Sequence, residues 1–163
     1  MPYRDPFSWV GVDVTDEMTR AARRNFPDVP VLRADSARIP FPDRSFDVVL
    51  LRHLLEHLPD WLMKATLAEA ARLARRAIVL VFYIEPGALE GRRTHRVDRN
   101  FIETRWAEEE IAAPLRAAGW DHAGRESIAG RPRESDSVWI FRPATPAPGI
   151  DPLLRRSCPQ DNS

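Results

Sequence analysis

The chain has 163 residues, the length of one ordinary domain, and its composition, 44% hydrophobic and 29% charged, excludes a fibrous or wholly disordered protein. Its 24 Lys and Arg residues balance 24 Asp and Glu residues, so no net charge attracts it to nucleic acid or an anionic membrane, and neutrality favours a small-molecule partner. Cys158 is the single cysteine, which excludes an internal disulfide and a thiolate metal cage.

The near-exclusive use of arginine over lysine is typical of GC-rich bacterial genes. No stretch has the ~20 apolar residues of a membrane span, and the first residues do not resemble a signal peptide, so we expect a cytoplasmic protein.

The first half of the chain predicts strands that alternate with helices. Residues 8–14 are short and rich in valine, and Thr15 can cap a following helix. The apolar residues of that helix form one stripe: Met18, Ala21, Ala22 and Phe26. A strand, a proline-containing loop, a buried strand, a helix and another buried strand are then predicted at 29–33, 35–45, 46–51, 61–76 and 77–84. Apolar strands separated by amphipathic helices indicate an α/β fold, a mostly parallel sheet covered by helices on both faces.

The second half predicts a long polar surface loop at 85–105, a helix at about 107–118 and a closing strand pair at 120–128 and 137–141. Pro114 is placed to kink the helix, and Gly119 to end it in a left-handed conformation. The proline-rich composition after residue 142 predicts a folded domain at 1–142 and a disordered tail at 143–163.

Two aspartates follow neighbouring predicted strands. Asp13 ends the first strand, where a carboxylate commonly accepts from the two hydroxyls of a ribose, although a helix-capping acid is an equally open interpretation. Asp35 ends the next strand and opens a loop, and its alternative role is that of a turn-forming residue. Two acids at neighbouring strand ends can bind one nucleoside.

The sequences VGVDVTDEMTRAARRNFP and ADSARIPFPDRSFDVVLLRHLLEHLPD resemble class I S-adenosylmethionine-dependent methyltransferases, in particular the small-molecule, type 11-like branch. The resemblance implies a Rossmann-like sheet and S-adenosylmethionine as the cofactor. It also implies that Asp13 binds the ribose and that Val14 lies against the adenine. By the same resemblance, Asp35 accepts from the adenine amino group and Ser36 meets the ring through its backbone. Arg52 takes the position beside the methionine part and the substrate.

The segment His53-Leu-Leu-Glu-His57 also has the H-x-x-E-H pattern of a zinc protease. That chemistry needs both imidazoles on one face of a sustained helix, but Pro59 follows closely and should end a helix there. We therefore expect no metal site. His53 is a candidate general base for the methyl acceptor, and a packed histidine is the alternative.

The family also begins with a strand and a glycine-rich loop that this sequence does not show, because none of its seven glycines forms a Gly-x-Gly cluster. Three explanations are open: a start that lies upstream, which we favour, direct pairing of the strand that carries Asp13 with strand 46–51, or a strand supplied by another chain. If the chain is complete as written, we expect weak cofactor binding.

These observations lead to two hypotheses of different classes. The first is a methyltransferase that acts on a small molecule, with no nucleic-acid or membrane partner. The second is a non-catalytic truncated homologue that binds a nucleoside or a partner chain weakly. The sequence leaves the oligomeric state open, with a homodimer among the outcomes.

Overall fold

A computed structural model describes residues 8–83, 86–87, 93–96, 102–129 and 135–145. The predicted strands and helices occur in the predicted order in these ranges, with shorter elements at the start of the chain and two additional strands within 85–105. Three helices are described: α1 (Asp16–Asn25), α2 (Asp60–Leu73) and α3 (Glu108–Ala117). The described strands are β1 (Gly11–Asp13), β2 (Val31–Arg33), β3 (Phe46–Arg52), β4 (Ala74–Phe82), β5 (Arg93–Arg96), β6 (Ile102–Arg105), β7 (Trp120–Ala129) and β8 (Ser135–Pro143).

The main sheet has four strands in the order β3-β4-β8-β7, and β3 runs parallel to β4. Strands β7 and β8 pair antiparallel, which confirms the predicted closing pair. Strands β1 and β2 form a separate parallel pair. Direct pairing of β1 with β3, one of the three explanations given above, is wrong for the described residues, because β1 pairs only with β2 and β3 only with β4.

The core lies between the main sheet and helices α2 and α3. Helix α2 buries Met63 and Leu67 completely, and α3 buries Ile111 and Leu115. The sheet contributes its large buried side chains to the same cluster: Leu51, Ile78, Leu80, Phe82, Trp139 and Phe141. Burial of these side chains supplies most of the stability of such a domain, at about 25 cal/mol per Å² of apolar surface.

Three apolar residues that the sequence pattern placed in the interior are exposed. Met18 of α1 is 56% exposed, and the buried residue of that helix is Thr19. Val48 and Leu50 of β3 are 52% and 45% exposed, because only the opposite face of the strand, which carries Leu51, is buried. A short apolar run alone does not show whether one or both faces of a strand are covered.

The prediction of an unstructured polar loop at 85–105 is also wrong in part, since β5 and β6 pair antiparallel within it. Most of the paired residues of β5 and β6 are polar, so the sequence shows no alternation of apolar and polar residues that would predict a strand here. Helix α3 ends as predicted, with Gly119 at φ 84°. Most of the predicted tail, 146–163, lies outside the described residues, so the tail and the boundary at 142 stay predictions. None of the helices in the described ranges combines the length and apolarity that a bilayer crossing requires.

Candidate functional site

Asp13 and Asp35 lie at the same edge of the β1–β2 pair. The two strands are parallel, with Asp13 in register with Arg33, and the backbone N–H of Ala34 donates to the Asp13 carbonyl at 3.1 Å. The chain reaches Asp35 one residue later. The carboxyl ends of parallel strands are where open α/β sheets bind their ligands, so this pairing brings both predicted acids to a ligand-binding edge.

Each of these carboxylates uses one oxygen locally. Asp13 Oδ1 accepts from the backbone N–H of Thr15 at 2.7 Å and from its hydroxyl at 2.8 Å. Asp35 Oδ1 accepts from the backbone N–H of Ala37 at 2.9 Å. The turn role of Asp35 is therefore real, whereas the residue that caps α1 is Thr15, and Asp13 bonds that cap residue. In the described part of the chain the second oxygen of each carboxylate accepts no hydrogen bond, so these local roles and a ligand role are compatible.

Val14 presents apolar surface directly after Asp13. Its side chain is 60% exposed, and its backbone carbonyl accepts from Arg33 Nε at 3.1 Å. Arg33 also donates to Asp16 Oδ1 at 2.9 Å, so it ties the end of β1 to the start of α1. An exposed apolar side chain held by such a fixed backbone can take the face of a planar ring.

The loop that follows β2 is attached to helix α2. The hydroxyl of Ser36 lies 2.8 Å from the hydroxyl of Thr66, and the backbone N–H of Ile39 donates to Glu69 Oε1 at 2.6 Å. Ser36 thus has its side chain engaged with the helix, which leaves only its backbone for the predicted contact with a ring. Since β1 and β2 pair with no strand of the main sheet in the described ranges, these contacts help to place the acidic edge relative to the core.

Arg52, His53 and Asp136 meet at the carboxyl end of β3. His53 Nε2 lies 3.0 Å from Asp136 Oδ1, and Arg52 Nη2 lies 3.6 Å from Asp136 Oδ2. The backbone of His53 has φ 49°, a left-handed conformation that costs a non-glycine residue about 1–2 kcal/mol. Its N–H donates to the Val81 carbonyl at 2.9 Å, which holds the histidine against β4 in that conformation. Arg52 and His53, the two neighbouring residues that the sequence predicted beside the substrate, thus share Asp136 as a partner.

Glu56 is a buried carboxylate behind this group. It has no solvent exposure, and its Oε1 accepts from the backbone N–H of Tyr83 at 3.0 Å. No partner reaches its Oε2 among the described residues. Burial raises the pKa of Glu56, and its backbone hydrogen bonds and the charges of His53 and His57 oppose that shift only in part.

The H-x-x-E-H segment does not form the helix that a zinc protease needs. Leu55–His57 is a single 3₁₀ turn, and α2 begins only at Asp60. His57 Nδ1 bonds the Ile102 carbonyl at 3.0 Å and its Nε2 lies 3.2 Å from the Tyr83 hydroxyl, whereas His53 is bonded to Asp136. The two imidazoles therefore have separate partners, and no cluster of three metal-ligating side chains occurs within the described ranges.

Asp136 is the site residue that the sequence did not reveal. It lies 83 positions after His53 in a polar stretch, so spacing gave no indication of it. The sheet topology does indicate its position, because β8 runs antiparallel to β4 and its register pairs Ser137 with Phe82. The first residues of an antiparallel closing strand therefore lie where the parallel strands end.

A surface groove lies at the other end of the main sheet. Its lining includes Ala74, Gly119, Trp120 and Pro143, close to where β4 and β7 begin. It is separated from the carboxyl ends of β3 and β4 by the length of the strands, so it does not belong to the site that contains His53.

The first half of the chain matches a family described as a methyltransferase domain, at residues 3–82. Two curated relatives from Mycobacterium tuberculosis, each a probable S-adenosylmethionine-dependent methyltransferase, are 33% identical over 72 residues. Residues 3–82 belong to the class I S-adenosylmethionine-dependent methyltransferase family. The match covers 44% of this chain and 26% of each relative, so the chain spans about a quarter of the length of those methyltransferases.

Solved structures show the same fold. A Pyrococcus horikoshii protein aligns with a TM-score of 0.67 at 16% identity, over 85% of this chain and 72% of that one. The 1,6-didemethyltoxoflavin-N1-methyltransferase of Burkholderia thailandensis, solved with bound 1,6-didemethyltoxoflavin and S-adenosylhomocysteine, aligns with a TM-score of 0.64 at 18% identity, over 83% of this chain and 61% of that one. These likenesses confirm the predicted Rossmann-like α/β fold.

S-adenosylmethionine is the cofactor of this family, and the acidic edge fits the adenosyl part of it. A vicinal diol needs an acceptor and an adenine amino group needs another. The uncommitted oxygens of Asp13 and Asp35 supply one acceptor each at neighbouring strand ends, and the exposed side chain of Val14 lies between them in the chain.

Proposed function

We propose that this chain binds S-adenosylmethionine at the edge formed by Asp13 and Asp35 and transfers its methyl group to a small-molecule acceptor. The observation that carries the proposal is the parallel register of β1 and β2, which ends both strands at one edge, with Asp13 as the last residue of β1 and Asp35 two residues after β2. The family to which residues 3–82 belong supports the assignment of the cofactor. The balanced charge of the chain and the small-molecule methyltransferase among the solved structures support the acceptor class.

Asp13 would hold the ribose hydroxyls and Asp35 the adenine amino group. Thr15 and the backbone of Ala37 fix the two carboxylates through their Oδ1 atoms, so each is oriented before a ligand arrives. Such preorganisation reduces the ordering cost of binding. Val14 would cover one face of the adenine and Ser36 would meet it through its backbone, which its hydroxyl bond to Thr66 holds in position.

When bound, the cofactor supplies an electrophilic methyl group on a sulfonium sulfur. The protein then has to align the acceptor and remove its proton. We propose that His53 accepts that proton, because its ring is only partly exposed at the carboxyl end of β3 and is held by Asp136. Arg52, on the same strand end and paired with the same aspartate, would face the methionine part or an anionic group of the acceptor.

Calorimetric titration with S-adenosylhomocysteine tests the binding site. Asp13→Asn and Asp35→Asn each keep a side-chain oxygen for the local bond and replace the uncommitted oxygen by an amide. Loss of one charge-assisted bond of ~1.5–3 kcal/mol should weaken binding about tenfold to a hundredfold in each variant. Asp47→Asn is the matched control, because among the described residues Asp47 pairs with Arg75 and Arg76 near the amino end of β3, and its substitution should leave the affinity unchanged.

A folded wild-type protein that gives no heat with S-adenosylhomocysteine would contradict the proposal. That result would support the non-catalytic homologue. Equal affinity of wild type, Asp13→Asn and Asp35→Asn would contradict the assignment of the site while leaving the cofactor in place.

A further inference from the structure

We propose that Asp136 is the positioning residue of His53, which fixes the proton on Nε2 and leaves Nδ1 as the atom that accepts the proton of the methyl acceptor. This inference deepens the proposed function and rests on it for the role of His53 in methyl transfer. The hydrogen bond itself is a property of the free protein.

The bond geometry determines the tautomer. His53 Nε2 and Asp136 Oδ1 are 3.0 Å apart, an ordinary hydrogen-bond distance, and an ionised carboxylate can only accept. Nε2 must therefore carry the hydrogen. Nδ1 has no hydrogen-bond partner among the described residues, so in the neutral ring its lone pair is available to a substrate proton.

Arg52 contacts the other oxygen of the same carboxylate. Its Nη2 lies 3.6 Å from Asp136 Oδ2, so one carboxylate oxygen contacts Arg52 and the other bonds His53. A positive charge therefore lies beside Oδ2, next to the oxygen that bonds His53. The aspartate thus orients the imidazole and stabilises the imidazolium that forms when Nδ1 takes a proton, without taking the proton itself.

Other contacts restrict the ring to this arrangement. The His53 ring packs edge-on against Tyr83, with centroids 5.3 Å apart. Its backbone is held in the left-handed region by the bond to Val81. With the backbone fixed and Tyr83 packed against the ring, the bond to Asp136 engages Nε2 and leaves Nδ1 without a hydrogen-bond partner among the described residues.

Nitrogen-15 NMR of the histidine rings tests the inference on the full chain without any substrate. Above the titration range of the ring, we expect His53 to show a protonated Nε2 and an unprotonated Nδ1, with an Nε2-bound proton that exchanges slowly with water. His53→Gln assigns these signals. Asp136→Ala should abolish the slowly exchanging proton, whereas Arg52→Gln, which breaks only the Oδ2 contact, and Asp47→Ala should keep it.

A wild-type ring with its proton on Nδ1 would overturn the inference, and this result does not depend on whether any variant folds. Persistence of the protected proton in folded Asp136→Ala, or its loss in Arg52→Gln, would also overturn it. The calorimetric titration with S-adenosylhomocysteine distinguishes the two failures: absent cofactor binding with an intact Nε2 signal contradicts the proposed function alone, and normal binding with Nδ1 protonated contradicts the role of Asp136 alone.

Discussion

Glu69 and Arg72 form a bidentate pair on helix α2, with Arg72 Nε 2.8 Å from Glu69 Oε2 and Arg72 Nη2 2.7 Å from Glu69 Oε1. Both residues also reach the loop after β2. Arg72 donates to the carbonyls of Ile39 and Phe41, and Glu69 accepts from the backbone N–H of Ile39. This pair fixes the loop that follows Asp35 onto the core.

Glu69→Ala should lower the free energy of unfolding by about 1.5–3 kcal/mol, because it leaves the part-buried backbone N–H of Ile39 without its acceptor and removes the bidentate partner of Arg72. Glu69→Gln keeps an oxygen for Ile39 and should cost less. Urea unfolding of the two variants and the wild type measures the difference. Equal stability of all three proteins would show that the loop is not held by this pair.

The same pair predicts that the stability of the protein depends on pH in the acidic range. The hydrogen bond from Arg72 holds the pKa of Glu69 below its ordinary value of 4.5. The stability that the ionised carboxylate contributes is therefore present above pH 4.5 and is lost as the pH falls through the lower pKa of the folded protein. The stability advantage of wild type over Glu69→Gln should shrink below pH 4.5 in unfolding measurements at several pH values. An advantage that grows on acidification would contradict this.

For Glu56 we expect the opposite pH dependence of stability. Because burial raises its pKa above the ordinary value of 4.5, the folded protein favours the protonated carboxyl, and this contribution is lost as the pH rises from 4.5 through the raised pKa. Glu56→Gln, which keeps an oxygen for the backbone N–H of Tyr83, should become more stable relative to wild type over that rise. A difference between the two proteins that is flat with pH would show that Glu56 ionises without penalty.

Gly119 allows a test of the helix end. Its φ of 84° is unfavourable for residues with a Cβ, although a Cβ there would meet no atom within 4 Å. Gly119→Ala should therefore destabilise the protein by about 1–2 kcal/mol through backbone strain alone. Gly124→Ala is the control, because it too has open space but no positive φ. Thermal or urea unfolding that shows the same stability for both variants would contradict this account.

The order of most elements was predictable because long apolar runs such as 77–84 and a proline or glycine at several boundaries give strong local signals. Solvent exposure was less predictable. Val48 and Leu50 were predicted to be buried but are exposed, because an apolar run does not reveal how many faces of a strand are covered. The two aspartates were predicted from the residues around them. Asp136 was not, because its role depends on the antiparallel placement of β8 beside β4, which brings distant positions together.

Backbone amide NMR during titration with S-adenosylhomocysteine tests most directly whether Asp13 and Asp35 hold one ligand. The amides of Thr15 and Ala37 donate to these two carboxylates, so each reports on its own aspartate. We expect both signals to shift with one shared dissociation constant. Movement of only one of the two signals, two different dissociation constants, or no shift in a folded protein would contradict the account.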